Sequence, residues 1–137
     1  MRAFFIATMT IQLEITKMNF KTTAEFQKDF KGLLKKFKSL NEDLLEFKKV
    51  LSEAPLGTGK HFNLITRADF ISIIKARFFC RSLKKKDLRI IYAYIKNHRI
   101  IEIISIEFIE IYFKGNKRNE DKERIRQYLK FFKEDLK

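Results

Sequence analysis

The sequence predicts an α+β domain in which an N-terminal helical hairpin and a C-terminal helix pack on a small antiparallel β-sheet. Three observations carry this prediction. Two early segments repeat apolar residues every three or four positions, the centre is rich in Ile, Phe and Tyr with short polar breaks, and the end returns to helical spacing. With 137 residues, 45% of them hydrophobic, the chain can bury one core.

Residues 1–17 are predicted to be a poorly ordered extension, and residues 18–137 a single domain. The opening interrupts a short apolar stretch with Gln12, Glu14 and Lys17, which a secretory signal would not contain. We therefore expect no export and a cytoplasmic location. An extra strand is expected at Asn19–Lys21.

Capping sequences predict where the two helices of the hairpin begin. Thr22-Thr23-Ala24-Glu25 has the spacing of a capping box and opens a helix with its apolar stripe starting at Phe26. Ser39-Leu40-Asn41-Glu42 repeats the box and opens a second helix, which ends before Pro55 and Gly57. The residues expected inside from this second helix are Leu44, Leu45, Phe47, Val50 and Leu51.

Four strands and a terminal helix are predicted after the hairpin. The strands are Phe62–Ile65, Ile71–Ser82, Leu88–Lys96 and Ile100–Phe113, and their short polar connections indicate an antiparallel meander. The last strand is long, so we expect a central position and a bend near Glu102 or a bulge near Ser105. Asn119 is expected to cap a final helix with the stripe Ile125, Tyr128, Leu129, Phe132 and Leu136.

The net charge is +13, and most of it is concentrated in one stretch. Residues 75–99 hold nine basic residues and one acidic residue, a net +8. This charge favours an anionic partner, which could be nucleic acid, an acidic protein or an anionic membrane surface. One Cys and two His are too few for a metal site, so neither a metal nor a cofactor is expected.

Several residues that could suggest a known type of catalytic or phosphate-binding site do not form one. Gly57-Thr58-Gly59-Lys60 lacks the earlier Gly and the following Ser or Thr of a P-loop, so a turn is expected. His61 is interpreted as a solvated loop histidine, while His98 stays a candidate because Lys96 and Arg99 surround it. Cys80 is expected in the core. Strict alternation places Glu107 and Glu110 on opposite faces of their strand, which excludes a paired-carboxylate site.

A regular row of cations is the informative pattern. Alternation places Lys75, Arg77 and Arg81 on one face of their strand and Ala76, Phe78 and Cys80 on the other. Arg89 follows on the next strand, Lys114 and Lys117 leave the last one, and Tyr92, Tyr94 and Tyr112 supply phenols nearby. Such a face suits a phosphate backbone with unstacked bases. The alternative is a set of solvated cations on an exposed sheet face.

Three segments resemble the RelE/ParE superfamily of type II toxins from bacterial toxin-antitoxin modules. They are residues 18–31, the strands from Lys75-Ala76-Arg77 through Leu88-Arg89-Ile90-Ile91-Tyr92-Ala93-Tyr94, and Ile109-Glu110-Ile111-Tyr112-Phe113-Lys114-Gly115. The RelE-like branch, which we favour, implies a metal-independent endoribonuclease that cleaves messenger RNA on the ribosome. The resemblance also implies a RelE-like fold and an acidic antitoxin as partner.

The resemblance assigns roles to particular residues. Arg89 looks like the strand arginine that contacts the scissile phosphate, and Lys75 and Arg77 look like the preceding basic pair. Tyr112 or a lysine is then the proton carrier. The residues expected to bind RNA are Arg81, Lys84, Lys85, Lys114, Lys117 and His98.

Residues 115–126 contain neither the Tyr nor the His that RelE-like enzymes usually place after the last strand. A ParE-like inhibitor of DNA gyrase, or an inactive relative that only binds its antitoxin, therefore stays open. A generic RNA-binding domain is the third hypothesis.

Overall fold

The computed structural model describes residues 18–57, 59–83, 88–96 and 104–135. Its elements are β1 (Met18–Thr22), α1 (Ala24–Leu34), α2 (Leu40–Glu53), β2 (Phe62–Ala68), β3 (Ile71–Phe78), β4 (Leu88–Lys96), β5 (Ile104–Phe113) and α3 (Lys122–Asp135). The predicted α+β fold with helices packed on a small sheet is confirmed. The predictions for residues 1–17, Lys84, Lys85, His98, Glu102 and Leu136 lie outside the described residues.

Within the described residues, five strands form one sheet in the order β1-β5-β4-β3-β2. The predicted meander from β2 to β5 is confirmed, and so is the strand expected at Asn19–Lys21. However, β1 runs parallel to β5, with Met18 opposite Ile104, so the expectation of a wholly antiparallel sheet is wrong. The two helices carry the chain across the sheet, and three hairpins then return β5 beside β1 in the same direction. As a result β5 is an interior strand between β1 and β4, as expected, and β4 is the middle strand of the five.

The face of the sheet that meets α1 and α2, here called the hairpin face, carries the larger part of the core. Phe47 of α2 lies at its centre. Its ring centroid is between 5.5 and 6.3 Å from those of Phe62, Phe78, Tyr92 and Phe108. Cys80 is buried in the same cluster, as expected. Rings at these separations and angles interact favourably beyond the area they bury.

The apolar stripe of α2 is narrower than the sequence predicts. Leu40, Phe47 and Leu51 are buried, whereas Leu45 is 59% exposed and Val50 49% exposed. The interpretation of Leu45 and Val50 as core residues is therefore wrong. They lie on the side of α2 that turns away from the sheet, because one helix on a flat sheet buries only the stripe that faces it.

Among the described residues, the opposite face of the sheet, here called the α3 face, is covered in part by α3. Ile125 of α3, together with Tyr128, Leu129 and Phe132, packs on Ile71, Ile73, Ile91, Ala93 and Ile109. The remaining part of this face carries charged residues. No helix within the described ranges is both long and apolar enough to cross a membrane.

The helices begin close to the predicted residues, but not all of the predicted capping hydrogen bonds form. The Thr23 hydroxyl accepts a hydrogen bond from the Phe26 amide at 3.1 Å and caps α1. Ser39 precedes α2, but its hydroxyl donates to Asp43 at 2.7 Å instead of capping the helix. Asn119 does not cap α3, because α3 begins at Lys122. The Asp121 carboxylate takes that role and accepts from the Arg124 amide at 3.0 Å.

A bulge at Ile109 changes which side chains of β5 share a face. Tyr92 lies opposite Phe108, whereas the preceding Ile91 lies opposite Glu110. The extra residue interrupts the alternation, so Glu107 and Glu110 share the α3 face, and the expectation of opposite faces is wrong. The bulge also lies four residues beyond the predicted Ser105. Each carboxylate has its own partner: Glu107 accepts from the Tyr128 hydroxyl at 2.7 Å, and Glu110 accepts from the Asp121 amide at 2.9 Å.

Beyond the end of β1, side chains form hydrogen bonds with the backbone at the edge of β5. Arg124 donates to the Ile109 carbonyl at 3.1 Å and to the Asp29 carboxylate at 2.6 Å. Asp29 also accepts from the Ile111 amide at 3.4 Å. This pair joins α1 to α3 and satisfies edge groups that would otherwise be available to a strand of another chain.

The turn expected at Gly57 and Gly59 is confirmed, and both residues have a positive φ, 73° and 82°. We expect Gly57→Ala to destabilise the protein far more than Gly59→Ala. A Cβ at Gly57 would lie 2.1 Å from the Phe62 ring and 2.7 Å from the Phe62 Cβ, whereas nothing lies within 4 Å at Gly59. Both variants incur about 1–2 kcal/mol of left-handed backbone strain, and Gly57→Ala adds roughly 1–3 kcal/mol of overpacking. Urea unfolding measures both, and equal losses would contradict the close contact with Phe62.

Candidate functional site

The candidate site begins with a row of side chains on the α3 face that crosses three strands and ends just before β2. Arg77 of β3 lies opposite Arg89 of β4, and Arg89 lies opposite Tyr112 of β5. On the side of β3 that faces β2, the Arg77 amide donates to the His61 carbonyl at 3.0 Å. The pairing with β3 therefore begins one residue before β2. Residues directly opposite each other share a face. The row therefore reads His61, Arg77, Arg89, Tyr112.

A second row lies beside the first. Lys75 is opposite both Asn63 and Ile91, and Ile91 is opposite Glu110. Two residues along a strand rise by about 6.5 Å, so this row is about that far from the first. Ile91 is covered by the apolar contacts of α3. The boundary between the packed and the charged parts of the α3 face therefore runs through this second row.

The two rows meet in a cavity of about 190 Å³, here called the basic cavity. Its lining residues are Lys60, His61, Asn63, Lys75, Ala76, Arg77, Arg89 and Lys114. No described carboxylate lines it. Five cations at one concave place create a positive potential that attracts anions.

The cations of the basic cavity differ in their surroundings. Arg89 is 7% exposed, and its Nη1 donates to its neighbour's carbonyl, that of Leu88, at 3.2 Å. Arg77 and Lys114 are exposed. Among the described residues, neither makes an ion pair with a carboxylate. The cavity thus combines a buried, fixed guanidinium with exposed cations that can move toward a ligand.

Lys75 is held by Glu120, which precedes α3. Their charged groups are 2.9 Å apart. Burial lowers the pKa of Lys75, but the hydrogen bond and charge of Glu120, together with the contribution of Tyr112, more than offset this, and the pKa lies above its usual 10.5. Burial likewise raises the pKa of Glu120, but Lys75 brings it below the usual 4.5. Lys75 therefore carries its proton at neutral pH.

Tyr112 lies in the first row, but it is poorly placed to lose a proton. Burial raises the pKa of its hydroxyl above the usual 10.0, although the charge of Lys75 acts in the opposite direction. The ammonium of Lys117 lies 5.3 Å from the centre of its ring and pairs with Glu110. Tyr112 and Lys117 are therefore neighbours of the basic cavity and do not line it.

The structure brings together four of the residues predicted to form the site, namely Lys75, Arg77, Arg89 and Lys114. Arg81 is elsewhere, so its predicted alignment with Lys75 and Arg77 is wrong. Because β3 ends at Phe78, the chain turns, and the Arg81 guanidinium lies 3.7 Å from Asp43 and 3.6 Å from Glu42 at α2.

Sequence reasoning missed Lys60 and His61. The sequence predicts a solvated loop histidine at His61, yet it lines the basic cavity and packs edge-on against the Phe79 ring at 6.0 Å. One signal for it exists: His61 is two residues from Asn63, so the alternation of β2 continued backwards places both on one face. Which strand they meet there depends on the register with β3, and the sequence does not contain that information locally.

Comparisons with protein-family models, with curated proteins and with solved structures found no significant match to this chain. The described residues contain no group of three or more His, Cys, Asp or Glu side chains that could hold a metal ion. Functional inference therefore rests on the basic cavity and on the sequence pattern.

The Lys75–Glu120 pair predicts how stability depends on pH. Because the pKa of Glu120 is lower in the folded protein, its contribution is present above about pH 4.5 and is lost as the pH falls through the folded pKa. We expect Glu120→Gln to lower the free energy of unfolding by about 1 kcal/mol at pH 7. At pH 3 the difference from the wild type should shrink toward zero. Urea unfolding at both pH values measures this, and a difference independent of pH would rule out the ion pair as its cause.

Proposed function

We propose that this chain is the toxin of a bacterial type II toxin-antitoxin system and cleaves messenger RNA on the ribosome without a metal ion. The observation that carries the proposal is the convergence of Lys75, Arg77 and Arg89 on one cavity that no described carboxylate lines. The resemblance of the sequence to RelE-like toxins adds the identity of the substrate, and it agrees with the α+β fold.

A phosphate is the group that best fits the basic cavity. Guanidinium groups present several N–H donors in a plane and bind phosphate oxygens in pairs. Arg77 and Arg89 lie opposite each other on adjacent strands, so one phosphate can contact both. The low exposure of Arg89 strengthens such a contact, because charges interact more strongly away from water.

The same cations support phosphodiester cleavage as well as binding. When the 2′-hydroxyl of a ribose attacks the adjacent phosphorus, the pentacoordinate transition state gains negative charge. Positively charged groups already fixed at that place stabilise it more than they stabilise the substrate. Burial fixes the Arg89 guanidinium and the ion pair with Glu120 fixes Lys75, while the exposed Arg77 can approach the same phosphate from the neighbouring strand.

The size of the basic cavity supports the proposed dependence on the ribosome. A volume of about 190 Å³ is below the roughly 300–1,000 Å³ of sites that enclose a drug-sized ligand. We infer that it holds a phosphate and part of a ribose, while the bases stay outside. A ribosome that presents the messenger in a fixed conformation would supply the positioning that the cavity lacks.

One observation favours a second function. The hydroxyl of Tyr112, the tyrosine predicted to carry the proton, is buried with a raised pKa. A basic surface without proton transfer would fit a ParE-like inhibitor of DNA gyrase or a relative that only binds an antitoxin. Both functions imply an acidic antitoxin in the cytoplasm that covers the positive charge.

Induced expression followed by mapping of messenger RNA 5′ ends tests the proposal. We expect new ends at fixed positions within codons of translated messages, and the same ends when purified protein is added to programmed ribosomes. Intact RNA together with blocked DNA supercoiling would overturn the nuclease function in favour of the gyrase function. Intact RNA with normal supercoiling would leave only antitoxin binding.

A further inference from the structure

We propose that His61 is the proton acceptor of the RNA cleavage reaction, an inference that rests on the proposed function. His61 lines the basic cavity together with Arg77 and Arg89. It occupies one end of the first row, next to Arg77, whose amide pairs with the His61 carbonyl. The Phe79 ring, packed edge-on at 6.0 Å, restricts the orientation of the imidazole.

The chemistry of the lining residues singles out His61. A general base must be unprotonated at working pH, and its pKa should lie near that pH. Lysine and arginine side chains normally carry protons at pH 7, and Glu120 keeps Lys75 protonated. Asn63 and Ala76 do not titrate. Among the described residues that line the basic cavity, His61 alone has a side chain whose ordinary pKa, about 6.5, is close to neutrality.

The position of His61 suits removal of a proton from the ribose. Adjacent strands are about 4.8 Å apart, so His61 is about one strand spacing from Arg77 and about two from Arg89. A phosphate on the two arginines then has His61 on the β2 side, where the imidazole can reach the adjoining ribose. Lys75 lies in the next row, about 6.5 Å along β3 from Arg77, and can reach a different oxygen of the same phosphate.

The positions of these side chains give the following reaction. The His61 imidazole takes the proton of the ribose 2′-hydroxyl, and the 2′-oxygen forms a bond to phosphorus. The bond from phosphorus to the 5′-oxygen breaks, its electron pair stays on that oxygen, and the Lys75 ammonium donates a proton to it. The products are a 2′,3′-cyclic phosphate and a 5′-hydroxyl end. His61 then releases its proton to water, and Lys75 takes one from water.

The test is single-turnover cleavage of messenger RNA on programmed ribosomes as a function of pH. For the wild type we expect the rate to rise with pH through an apparent pKa in the imidazole range and then level off. His61→Ala should lower the rate by about 10²–10⁴-fold, remove this rise, and be partly rescued by added imidazole. Asn63→Ala, which changes the lining residue two positions further along the chain, should keep the pH profile and show no imidazole rescue.

The outcomes separate the two proposals. If the wild type cleaves and His61→Ala keeps its pH profile, the role of His61 is overturned while the nuclease function stands. If the wild type leaves RNA intact, both are overturned.

A second measurement applies even if His61→Ala does not fold. The chain has two histidines, so His98→Ala leaves His61 as the single imidazole, and NMR titration gives its pKa directly. We expect agreement with the pKa that the pH dependence of kcat/KM gives for the same variant, because both report the free protein. A difference of more than about one unit would contradict the assignment.

Discussion

Arg89→Ala is expected to reduce RNA cleavage by at least about 10²-fold, the effect of removing one fixed donor to a developing negative charge. Arg89 lies in the middle of the first row, opposite both Arg77 and Tyr112. It is also the most buried cation of the basic cavity, so no mobile surface lysine can replace it. Cleavage on programmed ribosomes and growth after induced expression both measure the loss.

Two further variants show whether the effect is specific. Arg81→Ala removes the same charge from the surface next to α2, where Arg81 contacts Asp43 and Glu42. This variant should keep cleavage close to that of the wild type. Arg89→Lys keeps the charge but loses paired donation to two phosphate oxygens, so we expect an intermediate rate. Thermal unfolding identifies any variant that has simply lost its fold. Equal losses for Arg81→Ala and Arg89→Ala would mean that net charge alone matters.

The part of the site that could be predicted from sequence is the part that depends on one strand. Lys75 and Arg77 alternate with buried residues of β3, and that pattern gave their common face correctly. The same rule failed wherever the strand was irregular or ended. It placed Arg81 in line although β3 stops at Phe78, and it separated Glu107 from Glu110 although a bulge at Ile109 brings them to one face.

The remaining parts depend on contacts between elements that are distant in sequence. His61 meets Arg77 only through the register of β2 with β3, and Glu120 meets Lys75 only because α3 packs across the sheet. The parallel pairing of β1 with β5 likewise depends on how α1 and α2 carry the chain across the sheet between β1 and β2. Local patterns predicted the helices and strands themselves, because apolar spacing and turn residues are encoded within each element.

Which side chains of α2 are buried could not be predicted from the sequence of the helix alone. The prediction with the largest expected effect on stability concerns one of them. Phe47→Ala is expected to lower the free energy of unfolding by about 3–5 kcal/mol. Its ring contacts Phe62, Phe78, Tyr92 and Phe108, which come from four different strands. These partners are held by backbone pairing and cannot move in to fill the space, so a cavity would remain at the centre of the hairpin face.

Leu45→Ala is the matched control on the same helix. The sequence assigns Leu45 and Phe47 equally to the core, but Leu45 is 59% exposed and Phe47 only 7% exposed. We expect a change within about 0.5 kcal/mol for Leu45→Ala, as for most surface substitutions. Urea unfolding of both variants by circular dichroism measures the contrast. Because total stabilities of such domains are about 5–15 kcal/mol, Phe47→Ala should remove a large share of the total. Similar losses for the two variants would mean that α2 presents a different face to the sheet.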